Sequence, residues 1–253
     1  MSSPYARYDS LAGKVVFITG GASGIGADIV RAFRHNDSRV AFVDVQEDAG
    51  RAVAAETGAL FIACDVTDIE ALRAAIDRTR SELGLIGVLV NNAANDQRKP
   101  IDEMTPEDWD WSLGINLKPQ FFSAQAVRPQ MRELGGGSII NFSSIWWHSG
   151  GDPATHYVTA KAGVHGMSRA LARGFGGDNI RVNVVEPGAV PTERQIALWY
   201  GPDGAGRIKD IVARQMLKSP LSGVEIAKTV LFLASDQSAM ITRQTIRVDA
   251  GIG

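Results

Sequence analysis

The chain has one cysteine, Cys64, in 253 residues. An intramolecular disulfide framework is excluded, and the composition suits a reducing compartment. No stretch approaches about 18 uninterrupted apolar residues, the length that would suggest a membrane span. Neither sign of charge dominates: 26 lysines and arginines face 28 aspartates and glutamates, so there is no basic footprint for nucleic acid. The four histidines, His35, His148, His156 and His165, show no metal-ligand spacing. Met1 to Leu11 has no apolar core, which predicts no secretory leader and a cytoplasmic address. Repeats, low-complexity tracts and linkers are also missing, and the expected organisation is a single domain over 1–253.

What is present is an alternation. Val15–Ile18, Val40–Val43, Leu60–Ala63 and Val88–Val90 are continuous apolar runs and Ser138–Phe142 and Ile180–Val185 largely apolar ones, as expected of strands buried on both faces; Thr245–Val248 is a last candidate. Stretches of helical period separate them. Asp68–Leu83, for example, places Ile69, Leu72, Ile76 and Leu83 on one stripe. The expected fold is α/β: a doubly wound, Rossmann-type, seven-stranded parallel sheet with helices on both faces. The strict alternation breaks between Thr192 and Ser222, where Trp199-Tyr200 meets a Gly201-Pro202-Asp203-Gly204 turn. Two readings stand for this segment, a small helical substrate lid over the carboxyl ends of the strands or an ordinary surface helix pair.

Thr19-Gly20-Gly21-Ala22-Ser23-Gly24-Ile25-Gly26 follows the first strand and opens an apolar-periodic helix. Glycines there allow a tight turn and close approach to a pyrophosphate, and the helix N-terminus offers N–H groups and the positive end of a dipole. Asp44 closes the second strand. A carboxylate at that point accepts hydrogen bonds from the adenosine ribose hydroxyls and repels a 2′-phosphate, and neither Val45 nor Ser23 offers a compensating cation. NAD is favoured over NADP. Capping of the helix that starts near Gln46 is a second job open to Asp44.

Tyr157 and Lys161 stand at i and i+4 in the helical stretch His156–Ala172, on one face. A free tyrosine, with a pKa of about 10, is a poor base at neutral pH, and a neighbouring ammonium group favours its phenolate. Alone the pair equally describes a solvated face. Ser144 after the fifth strand, Asn91-Asn92-Ala93-Ala94 at the end of the fourth and Asn116 in the next helical stretch give it a context.

With these motifs in order from Lys14 to Gly251, the sequence resembles the short-chain dehydrogenase/reductase family in its roughly 250-residue form. Ala94 is the one small departure, where the family often has Gly. The resemblance implies Tyr157 as acid/base, Ser144 holding the reacting oxygen, Lys161 on the nicotinamide ribose, and the Asn116 backbone holding a relay water. It implies a cofactor site made by Gly20, Ser23, Gly24, Ile25, Gly26, Asp44, Asp65, Val66, Asn92, Ala93, Tyr157, Lys161, Pro187, Gly188, Val190 and Thr192. It also implies a homotetramer joined through helices near Phe121–Leu134 and His156–Arg173, with the Met240–Gly253 tail at a second interface.

Three segments are expected to form the substrate pocket: Asn95-Asp96-Gln97-Arg98, Trp146-Trp147-His148, and Gln195 with Trp199-Tyr200. Amides, a carboxylate and a guanidinium beside indole faces suit a polyhydroxylated ligand. The same segments resemble the family's bacterial NAD-dependent sugar dehydrogenases, most of all those for D-xylose, which implies oxidation of an aldose at C1 to the aldonolactone. The expected substrate contacts are Asn95, Asp96, Arg98, Ser144, Trp147, His148, Tyr157, Gln195 and Trp199. Alternatives stay open: the tryptophans packing beneath the lid, His148 satisfied by backbone, Arg98 paired with Asp96. For the whole chain, a polyol or secondary-alcohol dehydrogenase, a keto reductase, or a non-catalytic NAD-binding sensor are the competing functions.

Overall fold

The computed structural model describes residues 3–201 and 204–252. Met1 and Ser2 of the leader, Pro202 and Asp203 of the expected lid turn, and Gly253 of the tail lie outside them. Seven strands form one all-parallel sheet: β1 (Val15–Thr19), β2 (Arg39–Asp44), β3 (Leu60–Ala63), β4 (Ile86–Asn91), β5 (Gly137–Phe142), β6 (Ile180–Pro187) and β7 (Thr245–Val248). Their order is β3-β2-β1-β4-β5-β6-β7. The chain winds outward from β1 to β3, then restarts at β4 on the other side of β1. The crevice at the carboxyl ends of β1 and β4 is therefore the topological switch point, where ligands of such sheets bind.

The period-2 alternation of each strand feeds two cores. Val16, Ile18, Val40, Phe42, Val88 and Val90 pack on one face against α1 (Gly24–His35) and α10 (Gly223–Ala234), through residues such as Phe33, Ile226 and Val230. Val15, Phe17, Ala41, Val43 and Leu89 pack on the other, against α3 (Ile69–Leu83), α5 (Lys118–Glu133) and α7 (Thr155–Phe175). Phe17, Phe33 and Phe42 are fully buried, and truncating one to alanine costs about 3–5 kcal/mol. The helix read from Asp68 begins one residue later because Asp68 is its cap, accepting from the N–H groups of Glu70 and Ala71. Helix α2 (Glu47–Thr57) fills the connection from β2 to β3, and α4 (Pro106–Asn116) starts in a Thr105/Asp108 capping box.

Between β5 and α7 lies the one-turn helix α6 (Trp146–Ser149). After β6 come α8 (Glu193–Gln195), a π-helical turn (Ile196–Tyr200) and α9 (Gly204–Arg214). Among the described residues no helix is long and apolar enough to cross a membrane.

Candidate active site

The loop from β1 to α1 depends on glycine for specific reasons. Gly20 and Gly24 have φ of 70° and 52°. A Cβ on Gly26 would lie 1.8 Å from the Gly20 carbonyl oxygen, and one on Gly20 would lie 2.8 Å from Ala93 Cα. The loop is clamped from β4: Asn92 Nδ2 donates to the Gly20 and Thr19 carbonyls (2.8 and 3.2 Å), while the Asn92 and Ala93 N–H groups donate to Thr19 Oγ1. Ser23 makes no side-chain capping bond to α1, and Ile25 lies in the helix's first turn. These backbone N–H groups and the shallow glycine surface fit a dinucleotide pyrophosphate.

Asp44 sits on the rim of this cradle. Its Oδ2 accepts from the Ala22 N–H and its Oδ1 from the Gln46 N–H, each at 3.0 Å. Gln46, not Asp44, is the N-cap of α2. Asp65 is exposed and bonded to Thr67, and Val66 beside it is buried. Across the crevice, Gly188 packs so closely that a Cβ would lie 2.7 Å from Asp249 Cα. Pro187 ends β6, Val190 is buried, and Thr192 caps α8 with its methyl over Gly24.

Tyr157 and Lys161 share one face of α7 beneath the end of β5. The Tyr157 hydroxyl is hydrogen-bonded to Ser144. Lys161 is 1% exposed; its Nζ donates to the Phe142 carbonyl at 3.0 Å and lies 5.5 Å from the Tyr157 ring centre. Burial pushes the Tyr157 phenol above its ordinary value, as does the charge of Asp96, against the opposing Ser144 bond and Arg194. Burial also brings Lys161 down to about 7, with Asp96 opposing. Desolvation therefore outweighs the stabilisation of the phenolate expected from a neighbouring ammonium, and both groups are driven toward neutrality.

Asn116 is completely buried where α4 ends. Its side chain accepts from the Asn95 N–H (3.0 Å) and donates to the Asn95 carbonyl (2.9 Å), holding the loop after β4. Its own carbonyl accepts from Gln120 Nε2, which also donates to the Phe142 carbonyl used by Lys161.

The three pocket segments converge. Asp96, only 7% exposed, accepts from Arg194 Nη1 (2.6 Å), Gln195 Nε2 (2.8 Å) and Trp199 Nε1 (3.1 Å). Arg194 also donates to Asn95 Oδ1 at 2.8 Å. The segment after β6 is thereby tied to the loop after β4. Burial raises the Asp96 carboxyl, but the bonds from Gln195 and Arg194 outweigh it and hold the group below its ordinary range. Arg98 does not pair with Asp96. Its guanidinium lies over two indoles, 4.0 Å from the Trp199 ring centre and 5.0 Å from that of Trp146.

Of the adjacent tryptophans, Trp146 faces the site, with its ring centre 6.1 Å from that of Tyr157. Trp147, the one expected to meet substrate, turns away. Its indole N–H donates to Glu186, and its ring lies against His148 and His165. His148 is likewise turned to Glu186 and Arg247, and not to backbone. Adjacent residues on a helical turn project about 100° apart, so only one of the pair can face Tyr157.

Sequence reading missed Arg194 as the partner of Asp96, Gln120 as the bridge between carbonyls, and the Glu186 cluster. For Glu186 a signal existed: a carboxylate directly follows the apolar pair Val184-Val185 at the end of the strand run.

Residues 20–253 match the family model described as enoyl-(acyl carrier protein) reductase, a short-chain dehydrogenase model. A probable galactose dehydrogenase of Rhizobium meliloti is 44% identical, with all of both chains covered. The D-xylose 1-dehydrogenase of Caulobacter vibrioides is 43% identical over 97% of this chain and 98% of that one. The D-threitol dehydrogenase of Mycolicibacterium smegmatis is 39% identical over 95% and 93%. Among solved structures, one titled ribose-5-phosphate isomerase from Brucella melitensis superposes with a TM-score of 0.87 at 31% identity, covering 98% and 94% of the two chains.

Proposed function

The chain belongs to the short-chain dehydrogenase/reductase family, and from that premise we propose that it oxidises an aldose at C1, with NAD as the acceptor and the aldonolactone as product. The observation that carries the reading is the tie between the Asn95–Arg98 loop and the lid directly beside Tyr157. It surrounds the reacting hydroxyl with amide, carboxylate and guanidinium groups and two indole faces. Such a wall matches a ring bearing several hydroxyls better than an acyl chain or a steroid.

The glycine loop fits a dinucleotide, with Asn92 and Ala93 behind it, Asp44 for the adenosine ribose, Asp65 and Val66 near the adenine, and Pro187 to Thr192 over the nicotinamide. When bound, the nicotinamide supplies the hydride acceptor. The chain's own part is proton handling and orientation. Ser144 donates to the sugar oxygen and fixes it beside Tyr157. Tyr157 takes the C1 hydroxyl proton as general base. Lys161, its amine brought down to about 7 by burial, takes the Tyr157 phenol proton as the sugar proton arrives and passes it on to a relay water on the Asn116 backbone. Trp146, in place of Trp147, supplies the ring face for sugar C–H groups. Arg98 and Asn95 supply donors, while Asp96, Gln195 and Trp199 act first on one another.

The same reading takes 1–253 as one catalytic unit in the cytoplasm. It assembles as a homotetramer, supported by Trp109, Trp111 and Phe121 left exposed on α4 and α5. The 39% identity to a D-threitol dehydrogenase favours a polyol as the second reading. NADH and NADPH formation with a panel of aldoses and tetritols tests both. Rapid turnover of one or two aldoses with NAD supports the proposal, and turnover of tetritols alone transfers it to the polyol class.

A further inference from the structure

Glu186 is 1% exposed, at the end of a strand whose preceding residues Val184 and Val185 are buried and apolar. A carboxylate taken out of water costs several kcal/mol unless its oxygens are hydrogen-bonded. Here every donor comes from another element. Trp147 Nε1 and His165 Nε2, the latter at 2.8 Å, meet Oε1; His148 Nε2 (3.1 Å) and Arg247 Nε (3.4 Å) meet Oε2. Glu186 and Arg247 are register partners across β6 and β7. Burial raises the Glu186 carboxyl, but the bonds from Trp147 and His148 and the nearby imidazoles outweigh it and lower it below its ordinary value.

The donors are placed on the elements that carry the reacting groups. Trp147 and His148 belong to α6, which begins two residues after Ser144 and contains Trp146. His165 stands one helical turn beyond Lys161, on the face of α7 that bears Tyr157. His165 Nε2 also lies 2.9 Å from Ser143 Oγ, which donates to the Lys161 carbonyl at 2.8 Å.

We propose that Glu186 is a positioning residue for the reaction: its carboxylate sets the wall carrying Ser144 and Trp146 against the helix carrying Tyr157 and Lys161, without touching substrate. This rests on the reading of the Tyr157 site as the catalytic centre. The charged and titratable groups facing Glu186 are His148 from α6, His165 from α7 and Arg247 from β7, while Arg169 of α7 acts on His165. His148 Nε2 is also 2.6 Å from an Arg247 nitrogen, so this one ring nitrogen either accepts from Arg247 or donates to Glu186, according to its tautomer. His165 is pulled below its ordinary value by burial, against the Glu186 charge, and in the neutral form donates through Nε2.

The test compares Glu186→Gln, Trp147→Phe and the double variant in the full chain. Glu186→Gln turns an amide N–H toward the donors, and Trp147→Phe keeps a ring but loses the N–H. Each is expected to lower kcat/KM for the sugar about 10–100-fold, since small misplacements of reacting groups have effects of that size, with NAD affinity within about twofold. Both break the same contact, so the double variant should fall within about threefold of the worse single one. Multiplicative losses, or an unchanged kcat/KM, overturn the proposal. Should Glu186→Gln fail to fold, Trp147→Phe decides alone: wild-type kinetics there overturn it.

The wild type is assayed first on aldoses and on tetritols. Silence on aldoses refutes the substrate reading, and the variants are then compared on whichever class turns over. Independently of turnover, NMR titration of the four imidazoles must show the His165 transition at lower pH in Glu186→Gln. An unmoved transition overturns the proposal.

Discussion

Asp96→Asn isolates the tie between lid and loop. The substitution keeps the shape and one accepting oxygen. It removes the ion pair with Arg194, whose side chain is 42% exposed, so solvent screening limits that loss to about 0.5–1 kcal/mol. The larger effect comes from the new amide N–H, which points at one of the donors Arg194, Gln195 or Trp199. A buried donor left facing a donor costs about 1–3 kcal/mol. Together these disfavour the closed lid by about 1.5–4 kcal/mol, which at 1.4 kcal/mol per decade is about 10- to 700-fold. The expected result is a rise of that order in the sugar KM with a smaller fall in kcat, because Tyr157, Ser144 and Lys161 keep their places. A sugar KM within threefold of wild type in steady-state assays would refute the reasoning. The pH sign follows from the lowered Asp96 carboxyl: the tie is fully present above the ordinary carboxylate range and is lost only as pH falls through the lowered value. Wild type and variant should therefore differ throughout the neutral range and converge only in acid.

Tyr157→Phe should lower kcat by at least about 10³-fold, within the range of general acid–base catalysis, while NADH binding followed by fluorescence is retained. Lys161→Met should abolish turnover yet raise the melting temperature of the cofactor-free protein at pH 7 by about 2–8 °C. A lysine brought from 10.5 down to about 7 carries its burial cost in full below about pH 7, and the cost fades as pH rises to the ordinary lysine range. The carbonyl of Phe142 keeps its bond from Gln120 in that variant, so a lower Tm at pH 7, or a gain that grows with pH, refutes the assignment. Asp44→Ala with Val45→Arg should move the NADP/NAD ratio of kcat/KM toward NADP by about tenfold or more, and an unchanged ratio removes Asp44 from cofactor choice.

The central strands were legible because apolar runs buried on both faces leave few other options; the edge strands β3 and β7, only partly buried, match their expected bounds. β2, β4 and β6 run further than their apolar runs, through Asp44, Asn91 and Glu186, since the ladder bonds backbone groups whatever the side chain. Tyr157, Lys161, Ser144 and the glycine loop could be placed from spacing relative to the strands. Partners across long separations could not: Arg194 lies 98 positions from Asp96. Nor does sequence order tell which of two neighbouring indoles faces Tyr157. Helix α6 is a single turn, too short for any periodicity to set its phase.

The Asp96 tie also bears on how specificity can be exchanged among relatives. Lid and loop are one mechanical part encoded in two distant stretches of gene. A chimera that imports 192–214 alone would carry a lid without its socket, leaving Arg194, Gln195 and Trp199 to meet a foreign loop. Recombination that preserves function should therefore move 95–98 and 192–214 as a pair, and substitutions in either stretch should be tolerated or rejected according to what stands in the other.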